Sequence, residues 1–297
     1  MKMIDAHHHF WDVSSDKYTW LADESLDLIW GKPIDLPRTY FLNDMVVDAG
    51  PFELSKSVHV QCFRDPADPV DESRWLQSLA DDPDSGGFLH AIIAFADFSS
   101  PDIDEKLSQH CEYKNVRGIR QIINRHPNEI WHMSDRDFMQ DKTWLVNYGL
   151  LDAHNLSFDL QIFCYQVPDA IRLAKCYPNI PIILNHAGMP ADRDPESIEA
   201  WRSAIKRLAA CDNVTAKISG LGMCDHDWTP ESIRPFVIDM IEAFGVGRCM
   251  FGSNFPVDSL FSDYSAVWKA YDAITVGFSE DERAKLFHVN AESYYRI

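Results

Sequence analysis

The sequence predicts an α/β protein whose strands and helices alternate to form a (β/α)8 barrel of the TIM type. Eight short apolar runs rich in β-branched residues are bounded by turn residues, which is typical of buried parallel strands. Segments with helical spacing separate most of these runs. Eight strands alternating with helices in a chain of 297 residues favour a closed barrel. If one strand were miscounted, a doubly wound open sheet would be the alternative.

Each predicted strand corresponds to one of these apolar runs. The predicted strands are residues 3–10, 57–63, 89–95, 116–123, 157–163, 181–186, 214–219 and 249–254. Helical segments follow the second, third, fifth, sixth and seventh strands. Several of them begin with Ser, Thr or Asp followed closely by Pro or Glu, which favours a helix N-terminus. The clearest helix starts are "TPESI" at 229–233 and "SEDERAKLF" at 279–287.

The whole chain, residues 1–297, is interpreted as a single domain. It contains no internal repeat, no low-complexity tract and no convincing interdomain linker. Two connections are longer than usual, residues 12–40 after the first strand and residues 124–135 after the fourth. Long loops after barrel strands lie on the face where active sites form, so both are expected to be lids or pocket walls.

The composition indicates a soluble cytoplasmic protein that acts on small molecules. A formal net charge of −19 repels nucleic acid and anionic lipid surfaces. The seven cysteines include no C-x-x-C pair, which fits reduced thiols better than a disulfide framework. No apolar run reaches 18 residues, and no signal-peptide pattern is found. The sequence leaves open whether the protein forms a homo-oligomer.

The segment "MIDAHHHFWD" at 3–12 places three histidines in the first predicted strand. Side chains alternate between the two faces of a strand, so Asp5, His7 and His9 are expected inside the barrel. Ala6 and His8 are then expected to face the helices. Two imidazoles on one strand face suit one divalent metal or a substrate oxygen. A tag remnant and structural histidines are the alternatives.

Polar side chains also occur at the ends or in the interior of five other predicted strands. These residues are Arg120, Gln161, His186, Lys217 and Asn254. A charged group inside an apolar strand is costly unless it is paired or shifts its pKa, so these residues are candidates for function. A guanidinium can bind a carboxylate through two parallel hydrogen bonds, which makes Arg120 the candidate anion anchor.

Several motifs resemble the amidohydrolase superfamily, in particular its amidohydrolase 2 branch of sugar-lactone and dicarboxylate-lactone hydrolases. The motifs are "IDAHHHFWD", "GIRQII", "ILNHAGMP", "KISGL", "MFGSNFPVD" and "LFHVNAESYYRI". They lie in five of the eight predicted strands and in the last helix, and a matching "VQ" lies in the second strand, so the resemblance covers nearly the whole chain. The resemblance implies a distorted (β/α)8 barrel with its active site at the C-terminal face.

The resemblance also implies roles for individual residues. His7 and His9 match the strand-one pair, His186 matches the strand-six histidine, and Asn254 stands where an Asp is usual. In metal-using members the pair, a fifth-strand His and the Asp surround one or two divalent ions, and the Asp accepts a proton from water. This chain has Gln161 in place of the fifth-strand His and Asn254 in place of the Asp. An amide cannot act as a base, so Asn254 cannot accept the proton from water. Two alternatives stay open. The site either holds one zinc or manganese ion through His7, His9 and His186, or works without a metal.

The leading hypothesis is a hydrolase of a small sugar-acid or dicarboxylate lactone, with His7 and His9 at the carbonyl oxygen. His186 is the first choice for the base, because imidazole titrates near neutral pH, and Asp258 is the alternative base. Asn254 completes the catalytic set. The predicted substrate-binding residues are Arg120, Lys217, Gln161 and Trp30. A lactone isomerase, a metal-dependent decarboxylase of the same superfamily and a non-catalytic ligand binder are the alternatives.

Overall fold

The computed structural model describes residues 2–297, and residue 130 by its backbone alone. Eight parallel strands pair in chain order in one sheet. They are β1 (Lys2–His8), β2 (Glu53–Val60), β3 (Ala91–Ala94), β4 (Val116–Ile119), β5 (Ser157–Leu160), β6 (Ile182–Leu184), β7 (Val214–Ile218) and β8 (Cys249–Phe251). The predicted (β/α)8 barrel is confirmed.

Backbone hydrogen bonds bring the end of β8 against the end of β1. The amide of Asn254 donates to the carbonyl of His7, and the amide of His9 donates to the carbonyl of Phe255, each at 2.7 Å. The first and last strands are therefore joined just beyond their C-terminal ends, and the sheet closes almost completely into a barrel.

Helices pack around the outside of this sheet. They are α1 (Leu42–Ala49), α2 (Pro69–Ala80), α3 (Ile103–Cys111), α4 (Lys142–Tyr148), α5 (Leu150–Ala153), α6 (Val167–Cys176), α7 (Pro195–Leu208), α8 (Pro230–Phe244), α9 (Tyr264–Ile274), α10 (Glu280–Ala284) and α11 (Asn290–Tyr295). The predicted start "TPESI" is confirmed, because Thr229 caps α8 by accepting a hydrogen bond from the Ser232 amide. Ser279 caps α10 in the same way through the Glu282 amide. Among the described residues, no helix is both long and apolar enough for a membrane span.

All eight strands end earlier than the sequence predicts. The fourth strand, for example, ends at Ile119 rather than at residue 123. Several residues just beyond the strand ends are polar, among them Gln61, Arg120 and Asn185, and their amides make the last hydrogen bonds to the neighbouring strands. The apolar runs located the strands, but they could not show where pairing stops.

The barrel interior is packed with apolar side chains contributed by strands on opposite sides. Its members are Ile4, Ala6, Val58, Val60, Ala91, Ile93, Ile183 and Met250, with Ala291 and Tyr295 from α11. Ala6 therefore faces the interior, and the prediction that it faces the helices is wrong.

One extra residue in β1 explains this error. Asp5 pairs with Ser57 and His8 pairs with His59, so three steps along β1 oppose two steps along β2. The bulge resets the alternation, and Asp5 points away from the interior. Its carboxylate accepts hydrogen bonds from the hydroxyls of Ser253, at 2.6 Å, and Tyr264 of α9, at 3.0 Å. His7 and His9 do face inward as predicted, but because of the bulge rather than strict alternation.

Candidate active site

A cavity of about 530 Å³ opens at the C-terminal ends of the strands. Its polar lining includes His9, Arg120, Gln161, His186 and Asn254. Both long loops contribute to its walls, as expected. The loop after β1 supplies Trp20, Leu26, Leu28 and Trp30, and the loop after β4 supplies His132, Met133, Ser134 and Asp135.

Six of the nine predicted site residues thus line one cavity, with Trp30 as the sixth. The other three, His7, Lys217 and Asp258, are buried and do not form its surface. The structure places them beneath or behind residues that do. We therefore treat them as groups that position the cavity residues.

His186 is presented to the cavity by a strained turn. His186, Ala187 and Met189 have φ values of 53°, 52° and 47°, in the left-handed region that non-glycine residues rarely adopt. Such residues cost about 1–3 kcal/mol each and persist only where surrounding structure enforces them. The Ala187 carbonyl accepts a hydrogen bond from the Trp201 indole at 2.9 Å, which helps to hold this turn.

His9 and His186 each have one ring nitrogen engaged and one free. Nδ1 of His9 donates to the Val60 carbonyl at 2.7 Å. Nδ1 of His186 lies 3.0 Å from the Ser219 hydroxyl, and the Ser219 backbone also bonds this ring. With Nδ1 as donor, Nε2 of each ring carries the lone pair. Burial, aided by the charge of Arg120, holds the pKa of both rings well below its usual value, so both are neutral at pH 7.

His7 lies under these rings and is linked to a buried ion pair. Its ring centre is 4.4 Å from that of His186 and 5.2 Å from that of His9. Nζ of Lys217 lies 3.5 Å from Nδ1 of His7 and 2.6 Å from the carboxylate of Asp159. Burial lowers the pKa of Lys217 to about 8, so the amine remains mainly protonated at pH 7.

The contact with Lys217 favours one tautomer of His7. An ammonium group can only donate, so Nδ1 of His7 is the acceptor in this contact, and a neutral ring then has its proton on Nε2. That Nε2 atom is buried and has no hydrogen-bond partner.

Arg120 is a buried cation in the cavity wall. Its guanidinium donates to the Gln61 carbonyl at 2.5 Å and to Gln161 Oε1 at 3.2 Å, while its Nε has no partner. Burial lowers the pKa of Arg120 to about 10, which leaves it charged at neutral pH. A guanidinium held by neutral acceptors retains capacity to bind an oxygen atom of a ligand.

Asn254 and Asp258 form a second polar unit. Nδ2 of Asn254 donates to the carboxylate of Asp258 at 2.7 Å. Burial raises the pKa of Asp258 to about 7. Since Asn254 lines the cavity and Asp258 does not, the carboxyl group orients the amide of Asn254.

The predicted metal site at His7, His9 and His186 stays a prediction. Over residues 2–297, one set of at least three His, Cys, Asp or Glu side chains has all its ligand atoms within 4.8 Å of one another, and it is His59, Cys62 and Glu72. The three predicted ligands do not form such a set.

Sequence reasoning missed Asp159 and Tyr295. The hydroxyl of Tyr295 donates to the Asp159 carboxylate at 3.1 Å, and this carboxylate is the partner of Lys217. Asp159 lies in the apolar run "FDLQIF", two residues before Gln161. Because a charge in an apolar strand needs a partner, Asp159 carries the same signal in the sequence as Lys217. No comparable signal marks Tyr295, because its role depends on where α11 packs.

The chain is similar to proteins of known family. A family model described as Amidohydrolase matches residues 4–297. The uncharacterized protein y4mH of Sinorhizobium fredii is 44% identical over 296 residues, which cover 99% of this chain and 98% of that protein. The L-fucono-1,5-lactonase of Burkholderia ambifaria is 29% identical over 307 residues, which cover 99% of this chain and 95% of the lactonase. A crystal structure of a Burkholderia multivorans amidohydrolase with bound zinc is 25% identical, with a TM-score of 0.80 and 100% of both chains covered.

Proposed function

The chain belongs to the amidohydrolase 2 family, and on that premise we propose that it hydrolyses a small sugar-acid lactone in the cavity at the barrel mouth. One observation carries the proposal. A neutral imidazole with a free Nε2, that of His186, lines the same cavity as a buried guanidinium, that of Arg120. A base for water and a cation for the carbonyl oxygen are what ester hydrolysis requires.

In the proposed reaction, His186 activates water. Its Nε2 takes a proton from a water molecule while the water oxygen attacks the lactone carbonyl carbon. The ring C–O bond then breaks, and the imidazolium returns the proton to the departing alkoxide. The product is the open hydroxy acid, which contains one oxygen atom from water. His7 beneath the ring positions His186 and stays out of the bond changes.

The developing negative charge falls on the carbonyl oxygen, and in this proposal the charge of Arg120 stabilises it. The guanidinium is already held by Gln61 and Gln161, so little reorganisation is needed. Nε2 of His9 is an acceptor, which suits a substrate hydroxyl group. The amide of Asn254, oriented by Asp258, contributes a second polar contact.

The cavity favours a neutral sugar lactone over a dicarboxylate lactone. Indole rings of Trp11, Trp20 and Trp30 line it, and flat aromatic faces suit the C–H faces of a sugar ring. Among the described residues that line it, Arg120 is the one Lys or Arg side chain. A net charge of −19 would also oppose the approach of a dianion. The similarity to L-fucono-1,5-lactonase supports the same substrate class.

A panel of six-carbon aldonolactones, with an aromatic dicarboxylate lactone beside them, tests the proposal. We expect proton release with the sugar lactones and incorporation of one labelled oxygen from ¹⁸O water into the product. A product without water-derived oxygen would identify an isomerase or decarboxylase instead. Affinity without turnover on any lactone would identify a binder.

Variants separate catalysis from folding. His186→Asn should lower kcat about 100-fold or more with little change in KM, because it removes the base but keeps a polar side chain of similar shape. His154→Asn is the matched control, since His154 lies after α5 and pairs with Asp104 outside the cavity. Equal losses from both variants would contradict the assignment of His186.

The reaction as proposed runs without a metal at the mouth histidines. The guanidinium of Arg120 provides the electrostatic stabilisation that an ion would provide elsewhere. Turnover should therefore persist in the presence of a chelator at temperatures where circular dichroism shows the chain folded. Loss of turnover under those conditions, restored by zinc or manganese, would return His7, His9 and His186 to the role of ligands.

A further inference from the structure

A second cluster of reactive side chains lies behind the cavity wall. It consists of His59 in β2, Cys62 just after that strand and Glu72 in α2, all buried. One potential ligand atom from each lies within 4.8 Å of the other two. The carbonyl oxygen of Phe10, which follows β1, also points into this cluster. The proposed hydrolysis uses none of these groups.

Three of the separations between these atoms are close to those around a tetrahedral ion. The Sγ of Cys62 is 3.1 Å from a carboxylate oxygen of Glu72 and 3.4 Å from the Phe10 carbonyl oxygen. Nε2 of His59 is 3.5 Å from the same carbonyl oxygen. Metal–ligand bonds of 2.0–2.3 Å at tetrahedral angles place ligand atoms about 3.5 Å apart. Little movement is needed for the four groups to share one ion.

The cluster also has polar groups whose bonding capacity is unused. Nδ1 of His59 has no partner, and neither ring nitrogen of the adjacent His8 has one. No Lys, Arg or His nitrogen of the described chain lies within 4.0 Å of the Glu72 carboxylate in an ion pair. Buried polar groups without partners are rare, and a buried carboxyl without a cation is costly. A divalent cation would supply the missing charge partner of the Glu72 carboxylate.

We propose that His59, Cys62 and Glu72, together with the Phe10 carbonyl oxygen, bind one divalent transition-metal ion of borderline softness. A donor set of nitrogen, sulfur and oxygen suits zinc or cobalt and disfavours magnesium and calcium, which take oxygen ligands. Binding forms a metal–sulfur bond and releases the thiol proton to solvent, with no change of oxidation state.

Such an ion would stabilise the wall of the active-site cavity. Cys62 is a cavity-lining residue, which gives the ion a route to the cluster. The Cys62 carbonyl also accepts a hydrogen bond from the Trp20 indole at 2.8 Å, so the ion would anchor the loop after β1. It would join the ends of β1 and β2 to α2 and act as a structural centre.

Cobalt and zinc, added as the metals alone to the chelator-treated protein, test the proposal. Cobalt bound by a thiolate gives an intense charge-transfer band in the near ultraviolet, which reports on Cys62 directly. We expect one equivalent of metal, this band, and an increase in Tm on adding zinc. Cys62→Ser should abolish the band, and Glu72→Gln, which preserves shape, should weaken cobalt binding at least 10-fold.

Two control variants make the experiment decisive. Cys224→Ser alters a cysteine outside the cluster and should keep the band. His186→Asn alters the barrel mouth and should keep both the band and the one-to-one stoichiometry. Metal binding that survives Cys62→Ser but is lost in His186→Asn would overturn the proposal and place the ion at the mouth. Absence of any binding at micromolar metal would overturn it as well.

Discussion

His7 and His8 are neighbours in β1, but their side chains have different partners and therefore different roles. His7 lies against His186 and Lys217 under the cavity, whereas the ring of His8 packs against Phe10 and His59 on the helix side. Both rings are fully buried, so burial alone does not distinguish their roles. The side chains that each ring contacts do distinguish them.

We therefore expect unequal effects of truncating the two histidines. His7→Ala should lower kcat about 100-fold or more, because His186 loses the ring that positions it. His8→Ala should leave kcat near the wild-type value while it lowers the free energy of unfolding through the space it leaves. Steady-state kinetics together with denaturant unfolding would measure both. A similar loss of kcat in the two variants would contradict the placement.

Lys217 and Asp159 form a fully buried ion pair whose removal is a second residue-scale test. Asp159→Asn leaves the ammonium of Lys217 without its charge partner, which typically costs about 3–5 kcal/mol. The free energy of unfolding from urea titration is the measurement. Asp81→Asn, which breaks the exposed pair with Lys114, is the control and should change it little. Comparable effects of the two substitutions would mean that Lys217 is compensated in another way.

At the scale of elements, closure of the barrel depends on how closely β8 approaches β1. A Cβ atom added at Gly252 would lie 2.8 Å from Cβ of His7 and 2.9 Å from its backbone nitrogen. Backbone atoms cannot move aside without disturbing the two hydrogen bonds that join the strand ends. The glycine is thus required by the close approach of two strands, and its position also fixes that of His7.

Gly252→Ala is accordingly expected to lower the free energy of unfolding by about 3 kcal/mol through overpacking. It should also lower kcat, because His7 would be displaced. Gly247→Ala is the matched control, since an added Cβ there meets no atom within 4 Å. Denaturant unfolding of both variants measures the difference. An unchanged stability in Gly252→Ala would show that the strand ends separate more easily than the hydrogen bonds suggest.

The sequence predicted strands and cavity residues well and predicted local geometry poorly. Apolar runs locate strands because burial on both faces selects for them, and polar residues at their ends lie at the mouth because parallel strands share one direction. The bulge between Asp5 and His8 leaves no mark in composition, so the predicted faces of Asp5 and Ala6 were wrong. The contact of Glu72 with Cys62 brings α2 against the segment that follows β2. The spacing of residues in the sequence does not show which side chains of a helix meet the strand beside it.

For the molecule as a whole, the unusual feature is how many buried groups differ in protonation between the folded and unfolded chain. Burial lowers the pKa of eight histidines, slightly for the partly exposed His90 and His288 and more strongly for six deeply buried ones, which are His7, His8, His9, His59, His110 and His186. Burial raises the pKa of three carboxyl groups, which are Asp5, Glu72 and Asp258. These two sets act in opposite directions on stability as pH falls.

Acidification should therefore destabilise the fold, because the histidines outnumber the carboxyl groups. Below pH 6.5 the unfolded chain gains protons on histidines that the folded chain keeps neutral, so the stability they provide is lost as pH falls. Between pH 7 and about 4, the raised carboxyls bind protons in the folded state first and partly offset this loss. One proton of difference corresponds to about 1.4 kcal/mol per pH unit, so the free energy of unfolding should decrease by at least that amount per pH unit below pH 6.

Denaturant unfolding at pH 7.5, 6.0 and 5.0 would measure this dependence, and His8→Phe provides an internal control. Neither nitrogen of His8 has a partner, so the aromatic replacement keeps a ring in place and removes one titrating group. The variant should show a pH slope smaller by about one proton and greater stability than the wild type at pH 5. A wild-type stability that stays constant or rises on acidification would mean that the buried histidines are protonated in the folded chain. The neutral state assigned to His186 as the base would then be wrong as well.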